Sequence, residues 1–291
     1  MSATPLTALS DALTALVASA APSVVSVHSH RSRSSGFVWK PGLIVTADEA
    51  LADEGEVAVT LPNGERVPAT IAGRDPTTDV ALLRFDRSAL SPVALHSSTP
   101  GTGALVVAVG ARNGTTLAAA GIVAATGPAW RSMRGGEIDS RIELDVKLRR
   151  QAEGSLVLDA SGLAFGMAVF GPRRSVLVIP SSTIERVAKQ IEAHGRVARG
   201  YLGLALQPVR LDREDGAGAI VMSVAADGPG AKAGIQQGDI IAAWNGKPIS
   251  NVHAVLRALG PDSVGQKVGL SLRRGGETQA VDLVIGERPN A

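Results

Sequence analysis

The chain has 291 residues, enough for two ordinary domains, and its 45% apolar content includes no uninterrupted run of ~18 that would span a bilayer. It has no cysteine, which excludes thiol catalysis, disulfides and cysteine-ligated zinc. Its 29 basic residues nearly balance 27 acidic ones, basic runs such as 147–150 and 173–174 are scattered, and aromatics make up 3%, so no nucleic-acid partner is expected.

The first segment, "PLTALSDALTALVASAAP", sets Leu6, Leu9, Leu13 and Leu16 on one helical stripe that ends before Pro22, and it reads as a short docking helix over 1–22. It lacks the charged start and apolar core of a secretion signal, so the sequence alone fixes no compartment. From Val24 to Pro180 short apolar runs alternate with turns, among them "SVVSVHS", "VALLRF", "ALVVAVGAR" and "SVLVIP". Pro62-Asn63-Gly64 between two alternating runs predicts a hairpin, as does Asp159-Ala160-Ser161-Gly162 inside "LVLDASGLAFGM". With 33 glycines and about ten short strands, a mainly β domain over 23–194 follows, a barrel or a sandwich. "SSTIERVAKQIEAH" reads as an amphipathic helix with Ser/Thr capping candidates, closed by Gly195. Residues 195–199 read as a linker. Strands, a helix at 250–259 and a final hairpin then make a second domain over 200–288.

"PSVVSV", "SSGFVWKPGLIVTADEAL", "RDPTTDVALLRFD", "LVLDASGLAFGMAV" and "IPSSTIERVAKQI" occur in the order of the landmarks of HtrA/Deg serine proteases, and "RGYLGLALQPV" and "GPGAKAGIQQGDIIAAWNGKPI" resemble their PDZ domain. The resemblance covers nearly the whole chain. It implies a trypsin-like double β-barrel followed by an α+β PDZ domain, and by analogy a periplasmic or envelope location. Carried over residue by residue, it places the family's acid at Asp79 in "DPTTDVALL". The histidine position, which follows "IVT" after two intervening residues, holds Glu49. The serine of G-N-S-G-G-P falls on Glu153 in "QAEGSL", with Gln151 for the first Gly and Leu156 for the Pro.

A serine hydroxyl attacks only when a neighbouring base, itself oriented by a third group, takes its proton. With two of the three positions changed, no catalytic triad is intact and an inactive pseudoprotease is expected. Ser155 could substitute only through a two-residue slip of the strand. His28 and His30, two apart on one strand, suggest a surface pair more than a metal site, and His96 lies elsewhere in the barrel landmarks. Three carboxylates cannot share a small site fully ionised. A salt-bridge cluster with Lys147, Arg149 and Arg150 is the favoured compensation, with a bound cation or a raised-pKa carboxylate as alternatives.

The resemblance implies no cofactor. It implies peptide binding through the PDZ domain, with "GYLGL" (Gly200, Tyr201, Leu202, Gly203, Leu204) as carboxylate loop and binding strand, and Val252, His253, Val255, Leu256 and Leu259 on the opposing helix. The partners implied are protein C-termini or extended peptides, for a protein working as adaptor, sensor or chaperone-like factor. An active serine endopeptidase with an unorthodox site and a metal-dependent hydrolase on the carboxylates are the alternative readings. Family members commonly form trimers through N-terminal aromatics; the first aromatic here is Phe37, which leaves a homo-oligomer open.

Overall fold

The computed structural model describes residues 4–30, 32–53, 55–86, 90–210, 217–249 and 251–289, and divides into two compact units, 1–197 and 198–291.

The first unit opens with helix α1 (Pro5–Ala20), started by the Thr4 hydroxyl accepting the Thr7 N–H at 3.2 Å and by Pro5 in its first turn. Leu13, Leu16 and Val17 pack on the barrel core, but Leu6 is 78% and Leu9 45% exposed, so only the C-terminal half of the expected stripe is docked. Strands β1 (Val24–Ser29), β2 (Ser32–Lys40), β3 (Leu43–Thr46), β4 (Val57–Thr60), β5 (Arg66–Asp75) and β6 (Val80–Phe85) close into a barrel in the order β1-β2-β3-β6-β5-β4. The Asn63-Gly64 turn joins β4 to β5 as expected, with Gly64 at φ +86°.

A second closed barrel follows. Its members are β7 (Leu105–Arg112), β8 (Thr115–Gly127), β11 (Arg141–Asp145), β12 (Ser155–Asp159), β13 (Ala164–Phe170) and β14 (Val176–Pro180), in the order β11-β14-β13-β12-β7-β8. Between β8 and β11 a small hairpin is made by β9 (Trp130–Arg131) and β10 (Glu137–Ile138). The Asp159 side chain accepts the N–H groups of Ser161 and Leu163, which fixes the β12–β13 turn and hence its register. Phe37, Leu82, Val109, Leu156, Met167 and Ile184 are fully buried in the shared core.

Helix α2 (Ser181–His194) buries Ile184, Val187, Ala188 and Ile191 at helical spacing and ends at Gly195, φ +72°. Its serine and threonine do not cap it. Pro180 occupies the cap, Ser181 donates to the His96 carbonyl at 2.5 Å, and the Thr183 hydroxyl accepts from the Asp139 N–H. Both side chains tie the helix to neighbouring loops instead.

In the second unit β15 (Gly200–Tyr201) pairs with the last strand, β22 (Gly286–Glu287). The main sheet runs β16 (Leu204–Arg210), β17 (Ala217–Val224), β18 (Ile240–Trp244), β20 (Lys267–Arg274), β21 (Glu277–Val284), with β19 (Lys247–Pro248) paired to β18. Helix α3 (Pro229–Lys232) and helix α4 (Val252–Ala258) complete it; the Asn251 side chain caps α4 by accepting the Ala254 N–H. Residue 250, in the expected helix, lies outside the described residues.

Candidate functional site

Asp79 ends the turn between β5 and β6, and its conformation is unusual for a residue with a side chain: φ is +58°. The turn is held because the Asp75 carboxylate accepts from the Thr77 N–H and from the hydroxyls of Thr77 and Thr78. So positioned, the Asp79 carboxylate accepts the Glu49 N–H at 2.8 Å, and its carbonyl faces the Asp48 N–H. The turn after β3 is thus anchored on Asp79, as an imidazole would be in an intact triad. The side chain that emerges is a carboxylate, which turns to Arg134 at 3.3 Å and is half exposed.

Glu153 stands at the entrance to β12. The 3-10 turn Arg150–Ala152 brings the Glu153 N–H back onto the Arg150 carbonyl at 3.2 Å, and the Ala152 N–H onto that of Arg149. The Glu153 N–H is therefore spent inside the turn, where an acyl-transfer site would aim it at a developing oxyanion. The turn is pinned on both flanks. The Ser35 N–H donates to the Glu153 carbonyl at 2.8 Å, the Ser35 hydroxyl to the Gln151 carbonyl at 2.8 Å, and the Gly154 N–H to Ala168 at 2.8 Å. Gly154 is required here: φ is +83° and an added Cβ would lie 2.2 Å from the Ser35 carbonyl oxygen. The Glu153 carboxylate itself takes the backbone N–H of Phe170.

Burial pushes Asp79 up to about 8, helped by the charges of Glu49, Glu153 and Asp48 and opposed by the Glu49 N–H. Burial also raises Glu153, with Glu49 adding to it and the Phe170 N–H and Arg150 opposing. At neutral pH the Asp79 carboxyl is protonated, and the cluster sheds one of its charges that way.

The cations differ from those expected. Arg150 acts on Glu153, but Lys147 and Arg149 make no ion pair with the cluster among the described residues. The compensating cations are Arg134, on Glu49, and Arg74, whose Nε donates to the buried Asp48 at 2.5 Å while Nη1 reaches the Ala52 carbonyl. Neither arginine is adjacent in sequence to the acid it serves, so no local spacing pointed to them.

Arg134 belongs to the β9–β10 hairpin, which closes over this side of the site. The Ser132 hydroxyl donates to the Thr77 carbonyl at 2.5 Å, Arg134 also donates to the Pro76 carbonyl at 3.3 Å, and a Cβ on Gly136 would lie 2.3 Å from the Thr77 oxygen. Half-exposed ion pairs contribute about 0.5–1 kcal/mol, and the carbonyl contact adds about as much. Arg134→Ala is therefore expected to speed amide exchange across 130–138 roughly fivefold to tenfold while barrel strands keep their protection. Unchanged exchange would show that Glu49 does not latch the hairpin.

The remaining candidates are not drawn in. Ser155 is fully buried and its hydroxyl donates to the Ala152 carbonyl, so it is not available as a nucleophile. His28 is buried with Nε2 2.7 Å from the Thr60 hydroxyl, and burial together with Arg33 and Arg66 holds it down to about 4. His30 lies beyond the end of β1 at φ +49° and is exposed, so the expected pairing on one strand face is lost to the turn. His96 uses its backbone to bridge Ala164 and Ser181. Among the described residues no group of three or more His, Cys, Asp or Glu stands where it could hold a metal ion.

In the second unit the "GYLGL" segment is part loop and part strand. Gly200 and Tyr201 are engaged with β22, while Leu202 and Gly203 form a loop whose carbonyls accept from Gly230 and Ala225. Gly203 needs its glycine, with φ +72° and a Cβ that would meet Gly228 at 2.9 Å. One edge of the main sheet is β16, which starts at Leu204 and pairs with a strand, β17, on one side only; β21 is the other edge. Along α4, Val255 is buried and Val252 and Leu259 half-buried, and Leu256 stays 51% exposed beside them. His253 is a solvent-facing residue a quarter turn from Val252.

Two closed six-stranded barrels followed by an α+β unit with an edge strand and a glycine loop define a trypsin-like fold joined to a PDZ domain. The trypsin-like peptidase domain family matches residues 34–167 and the PDZ domain family residues 200–285. A probable periplasmic serine endoprotease, DegP-like, from Brucella suis is 32% identical over 278 residues, covering 89% of this chain and 53% of that protein. The solved serine endoprotease from Yersinia pestis is 27% identical at a TM-score of 0.73, covering 95% of this chain and 98% of that one. The HtrA-type protease AlgW solved with a tripeptide is 26% identical at 0.69, covering 96% and 98%. The chain belongs to the HtrA family of proteases with PDZ domains, and it spans about half the length of the curated relatives it matches.

Proposed function

We propose that this chain is a catalytically silent HtrA homologue in which the protease fold serves as scaffold and the PDZ domain binds the C-termini of proteins or extended peptides. One observation carries the first part: the side chain presented beside Asp79 at the tip of the 150–154 loop is the Glu153 carboxylate, and the backbone N–H behind it is spent on Arg150. A half-buried carboxylate hydrogen-bonded to the Phe170 N–H is no substitute for a serine activated by an imidazole. The endopeptidase reading is left with Ser155, which is buried, and the metal-hydrolase reading with no ligand set among the described residues.

Support for the second part is the unpaired edge of β16 beside Val252 and Leu256, with the 201–204 loop at its head. An extended peptide adds to such an edge through main-chain hydrogen bonds, and loop N–H groups take its carboxylate. An apolar wall favours apolar side chains near the peptide's end. Affinity on the order of micromolar is expected. Titration of the whole chain with free-acid and amidated forms of one panned peptide tests this. The amide should bind at least several-fold more weakly, and Gly203→Ala should weaken the free acid by about fivefold or more, since the loop would have to shift. Equal affinities for acid and amide would remove carboxylate capture.

A further inference from the structure

The β12–β13 ladder ends with Ser155 opposite Ala168, the Glu153 carboxylate on the Phe170 N–H, and Gly154 bonded to Ala168. Two segments leave the ladder at that same end. One is the loop before β12, carrying Lys147, Arg149 and Arg150. The other is the turn after β13, carrying Arg173 and Arg174. All five side chains belong to exposed residues, and none makes an ion pair or side-chain hydrogen bond among the described residues. The acids closest along the chain to Lys147, Arg149 and Arg150 are Asp145 and Glu153, and Glu153 faces the Phe170 N–H.

The turn after β13 is costly in the form it takes. Arg173 and Arg174 stand at φ +55° and +62°, consecutive left-handed residues where glycine or asparagine would be unstrained. Held this way, the turn presents two guanidinium groups at the end of the ladder from which the 147–150 run also leaves. Strain kept at an exposed turn is accounted for when the side chains it presents have a partner.

We propose that this basic rim is a docking surface for an acidic, extended polypeptide segment, separate from the PDZ groove. Charge complementarity selects the occupant, because a guanidinium fork donates two parallel N–H bonds to a single carboxylate. Nucleic acid is disfavoured because the aromatic of these segments, Phe170, is half-buried and offers no stacking face. A membrane is disfavoured because Leu148, their one large aliphatic, is half-buried and gives no apolar anchor.

The test is fluorescence anisotropy with the whole chain and a labelled oligoglutamate of about ten residues, amidated at its C-terminus so that carboxylate capture by the PDZ domain cannot contribute. A Kd of roughly 10–100 µM is expected at about 20 mM salt, weakening steeply by about 200 mM. Arg149→Gln with Arg150→Gln should weaken binding about fivefold, and Arg173→Gly with Arg174→Gly should do likewise. The glycine pair should also raise the melting temperature by relieving the strained turn, so its lost binding cannot be ascribed to misfolding. Arg66→Gln with Arg112→Gln, exposed elsewhere and matched in charge, should leave binding within about twofold. Equal loss in that control would reduce the effect to net charge and overturn the proposal. Tighter binding of duplex DNA or of vesicles rich in anionic lipid, with the same dependence on these arginines, would also overturn it. Failure of this experiment leaves the PDZ reading untouched, since the probe has no free carboxyl terminus.

Discussion

Casein and unfolded substrates are expected to stay intact with this protein from about pH 5 to 9, and Glu49→His with Glu153→Ser is expected to restore less than about 1% of an active relative's turnover. Loss of nucleophile and base together removes on the order of 10⁶ in kcat, so the unmodified chain starts from background. Restoring the two side chains does not restore the electrostatics. The N–H of residue 153 would still donate to the Arg150 carbonyl, and the loop would still be pinned through Ser35 and Gly154. Arg134 would lose its carboxylate partner and place a cation beside the new imidazole. Gln151→Gly added to the pair should raise activity further, since glycine lets the turn rotate its N–H groups outward. Leu156→Pro has no place in this repair, because Leu156 is fully buried and paired to both β7 and β13. A double variant as active as the triple one, measured as initial rates on labelled casein, would refute the argument from the loop.

Asp79→Asn is expected to stabilise the protein above about pH 7, an unusual direction for a substitution at a buried polar site. Asp79 titrates at about 8 in the folded chain against an ordinary value of 3.8. Between these values the folded state binds more protons than the unfolded one, so this group's contribution to stability falls as pH rises. It is fully present below about 4 and lost by about 8. Asparagine keeps the carbonyl oxygen that accepts the Glu49 N–H and never ionises, so its pH dependence should be flat in this window. With allowance for relaxation around the site, a gain of about 2 kcal/mol at pH 8–9 corresponds to roughly 4–8 °C in melting temperature. At about pH 4 the two proteins should melt together. A wild-type melting curve that improves from pH 5 to 8 while Asp79→Asn lags behind it would contradict the assignment of the proton to Asp79.

Where side-chain alternation and turn chemistry act locally, the sequence was readable. The β12–β13 hairpin follows from "LVLDASGLAFGM" because Asp159 and Gly162 serve the turn within a few residues of one another. Helix α2 follows from its apolar spacing, although its hydroxyls went to tertiary contacts with His96 and Asp139. The motif count that placed Glu49, Asp79 and Glu153 at the positions of a triad gave no sign of what would balance them. Arg74 and Arg134 reach these acids from other strands, and the neighbouring 147–150 run is directed elsewhere except for Arg150. What "GYLGL" does not show is where loop passes into strand: Gly203 at positive φ interrupts it, so Tyr201 pairs with β22 and β16 begins at Leu204. Exposure of Leu6 and Leu9 was equally invisible, since periodicity reports a helix face but not how far the docking surface extends.

The proposal that the chain holds no activated serine is tested most directly by intact mass spectrometry after incubation with excess fluorophosphonate. This reagent forms a stable adduct only with a serine whose proton is taken by a neighbouring base and whose oxyanion is stabilised. With Glu49 and Glu153 at the triad positions, the mass should remain that of the unmodified chain even after hours at pH 8, while an active HtrA protease run alongside gains one adduct per chain. A single stoichiometric adduct on this protein, lost in Ser155→Ala, would contradict the account.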